Sequence, residues 1–287
     1  MSESPFAGLS HQRVVEGYGA RLAIGAPDTE SLARLVAGLP AGWEPDRTGG
    51  EPDSTGWRIT VSSHDTAGYV VREETLGDTR RTNPSGAWPP ASASTSCGDL
   101  EQVVGFIQTR IRRHVGFHTR DRVFVHAGVV THRGRAIVIP GQSFSGKSTL
   151  VAALVRAGAV YYSDEYAVLD EHGQVTPYLE PLSLRNGDGG RPRPVTDESL
   201  AATSGDGPAP IGVLAVTRYV PGSEWSPRRC STGEGVVALM EHAVAARNVP
   251  GETLETMRRA LRGALVLEGD RGEAETTAAA LLEAAHD

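Results

Sequence analysis

The sequence holds a single lysine. Of 28 basic residues in a chain of 287, 27 are arginine and one is Lys147. A chain that uses arginine wherever it needs positive charge keeps lysine for a place where a compact ammonium on a flexible stem cannot be replaced. Cysteine is nearly absent too. Cys97 and Cys230 stand far apart and outside any CxxC spacing. That excludes a disulfide framework and a thiolate zinc site, and it suits a reduced, cytoplasmic protein. Basic charge is in deficit: Lys+Arg 28 against Asp+Glu 35 gives a net charge of −7. A nucleic-acid partner is therefore not expected. No apolar run approaches the roughly 18 residues of a spanning helix, so no membrane partner is expected either. The opening MSESPFAGLSHQRVVEGYG lacks a basic stretch followed by an apolar core, so no secretory signal is read there. What remains is an ordinary globular composition, 39% hydrophobic and 22% charged, with enough chain for a sizeable core.

Residues 1–83 read as a small, variable α/β segment. Leu32, Ala33, Leu35 and Val36 have helical spacing, and Trp57–Val61 and Gly68–Val71 read as strands. Residues 84–98 are rich in Pro, Ser and Ala and read as a linker. Residues 99–287 read as the main domain. Asp99 is placed to cap a helix carrying Leu100, Val103, Val104, Ile107, Ile111 and Val115. Arg122–Thr131 and Arg135–Pro140 read as two strands joined by the tight turn His132-Arg133-Gly134. A helix over Ser148–Ala157, strands at Val160–Ser163 and Tyr166–Asp170, and an extended run ending near Arg185 follow. Residues 186–210 form a long break dense in Gly, Pro, Asp and Arg. Ile211–Val220 reads as a strand. Thr232–Arg247, Glu252–Leu261 and Glu273–Ala285 read as helices, with a strand at Ala264–Glu268.

Gly141-Gln-Ser-Phe-Ser-Gly146-Lys147-Ser148 matches GxxxxGK[ST], and it contains the one lysine. An apolar strand precedes it and a helix follows, as a phosphate-cradling loop requires. The glycines let the backbone wrap a polyphosphate, and the N–H groups of the helix start point at its oxygens. Gly141, Ser143, Phe144, Ser145, Gly146, Lys147, Ser148 and Thr149 are the candidate nucleotide-binding residues. Lys147 would reach the β- and γ-phosphates, and Ser148 would offer a hydroxyl to Mg²⁺. The bland alternative is a glycine-rich turn that binds nothing. A guanine-reading NKxD motif is impossible without a second lysine, and the LSGGQ signature is absent.

Ser163-Asp164-Glu165 follows at the end of the next strand, 17 residues beyond Lys147 for Asp164. A hydroxyl acceptor needs a base within hydrogen-bond reach, and Asp164 is the leading candidate. His126 lies on the first strand of the hairpin that feeds the loop, on the same side as Phe124 and Gly128. It reads either as a partner of Asp164 or a phosphate, or as a half-buried structural histidine.

Val125-His126-Ala127-Gly128, the loop GQSFSGKST and Tyr162-Ser163-Asp164-Glu165 together resemble the catalytic domain of the HPr kinase/phosphorylase family, a group related to phosphoenolpyruvate carboxykinase. The resemblance covers roughly residues 100–190. It implies an α/β P-loop kinase core with a mixed central sheet and flanking helices, preceded here by the small N-terminal α/β segment. It implies ATP and Mg²⁺ as cofactors, with Asp164 as the base, Glu165 assisting Asp164 and Ser148 at the metal, and His126 beside the base. The second acid is Glu165 where the family usually has Asp, and the N-terminal 95 residues do not look like the family's regulatory domain. The closer resemblance is to HPr-kinase-like proteins of unassigned substrate, including those that modify serine in peptides or free serine. The expected function is transfer of the γ-phosphoryl group of ATP to a serine-like hydroxyl on a peptide or small molecule. The alternatives are a small-molecule kinase of natural-product biosynthesis and a nucleotide-binding regulatory or scaffold protein. Homo-oligomers occur among such proteins.

Other residues carry weaker expectations. Arg185 is the preferred arginine to meet a transferring phosphoryl group, with Arg191 and Arg193 as further candidates. Glu180 could add a metal oxygen. His114 and His118 have i,i+4 spacing but no accompanying HExxH glutamate, so a structural role is expected. Arg110, Arg112 and Arg113 read as a solvated helix face.

Overall fold

The computed structural model describes residues 11–49, 56–64, 68–75, 92–119, 121–142, 145–184, 193–194, 205–244, 246 and 249–285. The chain forms two compact units: Met1–Asp121 with Arg247–Val249, and Arg122–Ala246 with Pro250–Asp287. The expected boundary near residue 98 is thereby moved past the long helix that Asp99 caps.

In the first unit, β1 (His11–Gly17) and β2 (Ala20–Ala26) make a hairpin. Its turn residues Tyr18 and Gly19 both have positive φ, 54° and 76°, the geometry that matches strand twist in two-residue turns. β3 (Glu44–Pro45), β4 (Trp57–His64), β5 (Gly68–Thr75) and β6 (Ser92–Cys97) complete one sheet in the order β3-β1-β2-β4-β5-β6. Its β2–β4 pair is parallel and the other pairs are antiparallel. Ser92–Cys97 corrects the linker reading. Its small, polar residues look like linker because the strand is half exposed and its pairing with β5 comes from the backbone. Helix α1 (Thr29–Ala37) is capped by Asp28, and α2 (Leu100–His118) by Asp99, whose carboxylate accepts from the Gln102 N–H at 2.8 Å.

A buried polar cluster ties α2 to the sheet. The Glu73 carboxylate accepts from Trp57 Nε1 at 3.0 Å, meets His114 Nδ1 at 2.8 Å and pairs with Arg110. Arg110, expected on a solvated face, is thus turned inward. Burial raises the Glu73 pKa, but the His114 hydrogen bond and the charges of His114 and Arg110 outweigh it and hold the carboxyl below its usual range. His118 stacks flat on Trp57 at 4.2 Å. His114 and His118 are therefore spent on packing, as expected. Burial, with the nearby His114, pushes His118 from 6.5 down to about 3 against the pull of Glu73. Both Glu73 and His118 bind fewer protons folded than unfolded, so the stability they supply is full above pH 6.5 and is lost as the pH falls toward 3. The urea midpoint should fall steadily from about pH 6.5 to about pH 4. His118→Phe, which keeps a stacking ring, should flatten that slope; an unchanged slope would contradict the assignment.

The second unit is a mixed sheet with helices on both faces. Its strands are β7 (Val123–His132), β8 (Arg135–Pro140), β9 (Val160–Ser163), β10 (Tyr166–Leu169), β11 (Val175–Thr176), β14 (Ile211–Tyr219), β15 (Arg228–Cys230) and β16 (Leu265–Arg271). The order is β11-β10-β7-β8-β14-β16-β15, with β9 also on β7. β12 (Ser183–Leu184) and β13 (Arg193–Pro194) pair separately. β8, β14 and β16 run parallel, so their C-terminal ends lie at one edge of the unit. Helices α3 (Lys147–Arg156) and α6 (Ala274–Ala284) pack on one face, joining Ile137, Ile139, Val213, Ala215 and Leu267 in one core cluster. Helices α4 (Thr232–Met240) and α5 (Pro250–Ala260) cover the other face, against Val125, Val138, Leu214 and Val266. In α3, Leu150, Val151, Leu154 and Val155 are all buried. Each such side chain contributes on the order of 1.5–3 kcal/mol, which outweighs the few tenths lost by placing valine in a helix.

The helix expected over Thr232–Arg247 ends at Met240. Ala243 instead bridges Val125 on β7, with His126 N–H donating to His242 O and Val244 N–H to Phe124 O, each at 2.9 Å. Pairing with an otherwise open strand edge overrides the local helical pattern. No helix among the described residues is long and apolar enough to cross a membrane.

Candidate active site

The loop after β8 begins where Gly141 N–H donates to His126 O at 3.2 Å. It ends at Gly146, which has φ 81° and caps α3. Only glycine suits Gly146: the left-handed backbone disfavours a side chain, and a Cβ there would run into the Arg271 guanidinium. A Cβ on Gly141 would meet Ser145 Oγ at 2.7 Å. Lys147 opens α3, and its Nζ donates to Gln142 O across the loop at 2.7 Å. Ser148 is half-buried and Thr149 exposed in the first helical turn. Ser143 and Phe144 lie outside the described residues.

β9 and β10 are two pieces of one strand along the same edge of β7. Ser163 pairs with Val129 and Tyr166 with His126 in a single register, which sets Asp164 and Glu165 opposite Gly128 and Ala127. The strand breaks only at these two acids. Buried Ser163 holds the break open, its Oγ accepting from Glu165 N–H at 3.1 Å and Tyr166 N–H at 2.9 Å. Tyr161 Oη lies 3.0 Å from Asp164 Oδ1 and 2.9 Å from Glu180 O, so its one proton serves either acceptor. Burial first, then Asp164, raises the Tyr161 pKa, so this phenol stays a donor to the carboxylate.

Lys147 lies within electrostatic reach of these acids. A Cβ on Gly128 would lie 3.8 Å from Lys147 Cβ and only 2.6 Å from Val151 Cγ2. The first turn of α3 thus sits on β7 where β7 has no side chain. Burial lowers the Lys147 pKa, and the charges of Glu165 and Asp164 offset part of that shift. His126 Nδ1 lies 3.9 Å from Glu165 Oε1, and its ring tilts against Tyr166 at 4.7 Å. Burial, then Lys147 and His242, lower its pKa. The structure therefore sets His126 beside Glu165, the neighbour of the expected Asp164.

Three residues near the loop escaped the sequence reading. His242 falls inside the helix expected over Thr232–Arg247; the actual chain return sets it beside His126 on the neighbouring strand. Burial, opposed by Glu241 and reinforced by Lys147, lowers its pKa. Tyr161 carried no sequence signal beyond preceding the acids. Arg271 ends β16 and donates from Nη2 to Gly146 O at 3.1 Å. Arg185 and Arg191 lie outside the described residues, and of Arg193 only the backbone, in β13, is described. Glu180 is half-buried and meets Tyr161 through its carbonyl. No three His, Cys, Asp or Glu side chains among the described residues group as a metal-holding set. Nucleotide-bound Mg²⁺ needs only one or two protein oxygens beside phosphate and water, so Ser148, Asp164 and Glu165 still fit that ion.

No family model matches this chain. No curated protein matches it either. Among solved structures, it is similar to the HPr(Ser) kinase/phosphatase from Coxiella burnetii, with 13% identity and a TM-score of 0.32 over 57% of this chain and 93% of that one. A likeness at that level carries no argument about function.

The close approach of α3 to β7 is testable. Gly128→Ala should lower the unfolding free energy by about 1–3 kcal/mol through overpacking against Val151, measured by urea titration. A variant as stable as the parent would show that the helix can shift without cost.

Proposed function

We propose that the second unit binds Mg-ATP and transfers its γ-phosphoryl group to a hydroxyl acceptor, a serine-like group on a peptide or small molecule. The observation that carries this reading is that the one lysine, at the head of α3, lies against Gly128, the residue opposite Asp164 in the strand register, within electrostatic reach of both acids. Phosphoryl transfer asks mainly for positioning and for neutralisation of spread negative charge. The N–H groups at the start of α3 and the Lys147 ammonium supply positive charge where the phosphates would lie. Ser148, Asp164 and Glu165 are the oxygens that would hold Mg²⁺, which when bound screens the β- and γ-phosphate charge.

Asp164 is the base for the acceptor hydroxyl. The Tyr161 phenol donates to its Oδ1 and orients the carboxylate. His126, whose pKa burial first and then Lys147 and His242 lower, stands beside Glu165 at 3.9 Å. An arginine of the 185–193 segment is the remaining candidate to meet charge on the γ-phosphate.

Lys147→Ala should weaken Mg-ATP binding by calorimetry or abolish turnover, by two orders of magnitude or more; a near-parental variant would remove the nucleotide reading. Asp164→Asn should still bind Mg-ATP but lose transfer to a mixed pool of hydroxyl acceptors about 10²–10⁴-fold. Normal transfer by that variant would place the base elsewhere.

A further inference from the structure

The acids of the site stand on one side of the loop strand β8; on its other side stand β14 and β16. These two strands are parallel and pair Tyr219 with Arg271 at their C-terminal ends. Both residues share the face that carries α3 and α6, since they continue the alternation of Val213, Ala215 and Leu267. Ligands of α/β sheets collect beyond the carboxyl ends of parallel strands.

Arg271 is 2% exposed. Its Nη1 donates to Gly272 O at 3.0 Å and its Nη2 to Gly146 O at 3.1 Å. Its Nε is buried without a hydrogen-bond partner, and burial lowers its pKa against the pull of Tyr219 and Glu273. The guanidinium carbon lies 5.2 Å from the centre of the Tyr219 ring, a cation–π distance. Tyr219 itself is 46% exposed, the one large aromatic among the described residues left open to this extent. Its hydroxyl reaches the Glu273 carboxylate, just ahead of α6, at 3.4 Å. One guanidinium thus spans from the second glycine of the phosphate loop to the back of an exposed aromatic ring.

We infer that Tyr219, backed by Arg271, is the stacking platform for the base of the nucleotide whose phosphates lie on the 141–148 loop. The inference rests on the nucleotide reading above and adds to it a direction. The terminal phosphate points toward Asp164 and Glu165, and the nucleoside leaves the loop on the β14–β16 side, past Gly146. Any base presents a π-face, so the platform accepts a base without selecting which one. Arg271 has two roles: it holds the Gly146 carbonyl, and it gives the Tyr219 ring a cationic rear face.

The test separates the base from the phosphates. Calorimetry of the full chain would compare Mg-ATP with magnesium tripolyphosphate, which has phosphates and no base. Tyr219→Ala should weaken Mg-ATP about tenfold, the usual order for losing one stacked base, and leave tripolyphosphate affinity as in the parent. Tyr219→Trp should restore Mg-ATP affinity. Unchanged Mg-ATP binding by Tyr219→Ala would overturn the inference. Equal weakening of both ligands would also overturn it, because the residue would then act through the loop. If the parent binds neither ligand, the nucleotide reading itself fails.

Discussion

Gly128 lacks a side chain at the point where the first turn of α3 rests on β7. A methyl group there would reach 2.6 Å from Val151 Cγ2 and 3.8 Å from Lys147 Cβ, so the bare glycine lets the helix come this close. The consequence is electrostatic. The head of α3, the one lysine and the two acids that interrupt the strand beside β7 are drawn within reach of one another. In the partly buried surroundings of the loop those charges act more strongly than they would in water. The hydrophobic packing of α3 between β7 and α6 holds the arrangement in place.

The sheet then sorts the chemistry by side. On the β7 side are the titratable groups: Asp164 with its Tyr161 donor, Glu165, His126 and His242. On the β14–β16 side are Arg271 and Tyr219, which offer a buried cation and an open ring. The loop lies between. On the proposed reading, the charged end of a nucleoside triphosphate lies on the first side and its flat base on the second.

Much of this was legible in the sequence, for physical reasons. The strand, loop and helix around GxxxxGK[ST] and the strand end at Asp164-Glu165 follow one another along the chain, so local patterns suffice to predict that order. Asp99 caps α2 and the 132–134 turn closes β7 onto β8, because capping and turn chemistry are local. What escaped depends on contacts between distant segments. Strand 92–97 is held by backbone pairing, which its small residues do not announce. The helix begun at Thr232 stops at Met240 because 242–244 find the edge of β7. Arg271 and Tyr219 meet through the register of two parallel strands 52 positions apart, and no spacing rule encodes that. The buried Glu73 cluster likewise turned Arg110 inward against its charge pattern.

The most direct test of the central claim is phosphorus NMR of the protein with Mg-ATP and a pool of free serine, threonine, homoserine, simple sugars and serine-ended peptides. The account predicts a new phosphomonoester resonance that grows as the γ-phosphate signal of ATP declines and that is absent with Asp164→Asn. An ATP spectrum that stays unchanged in both position and intensity, with no sign of binding or transfer, would contradict it.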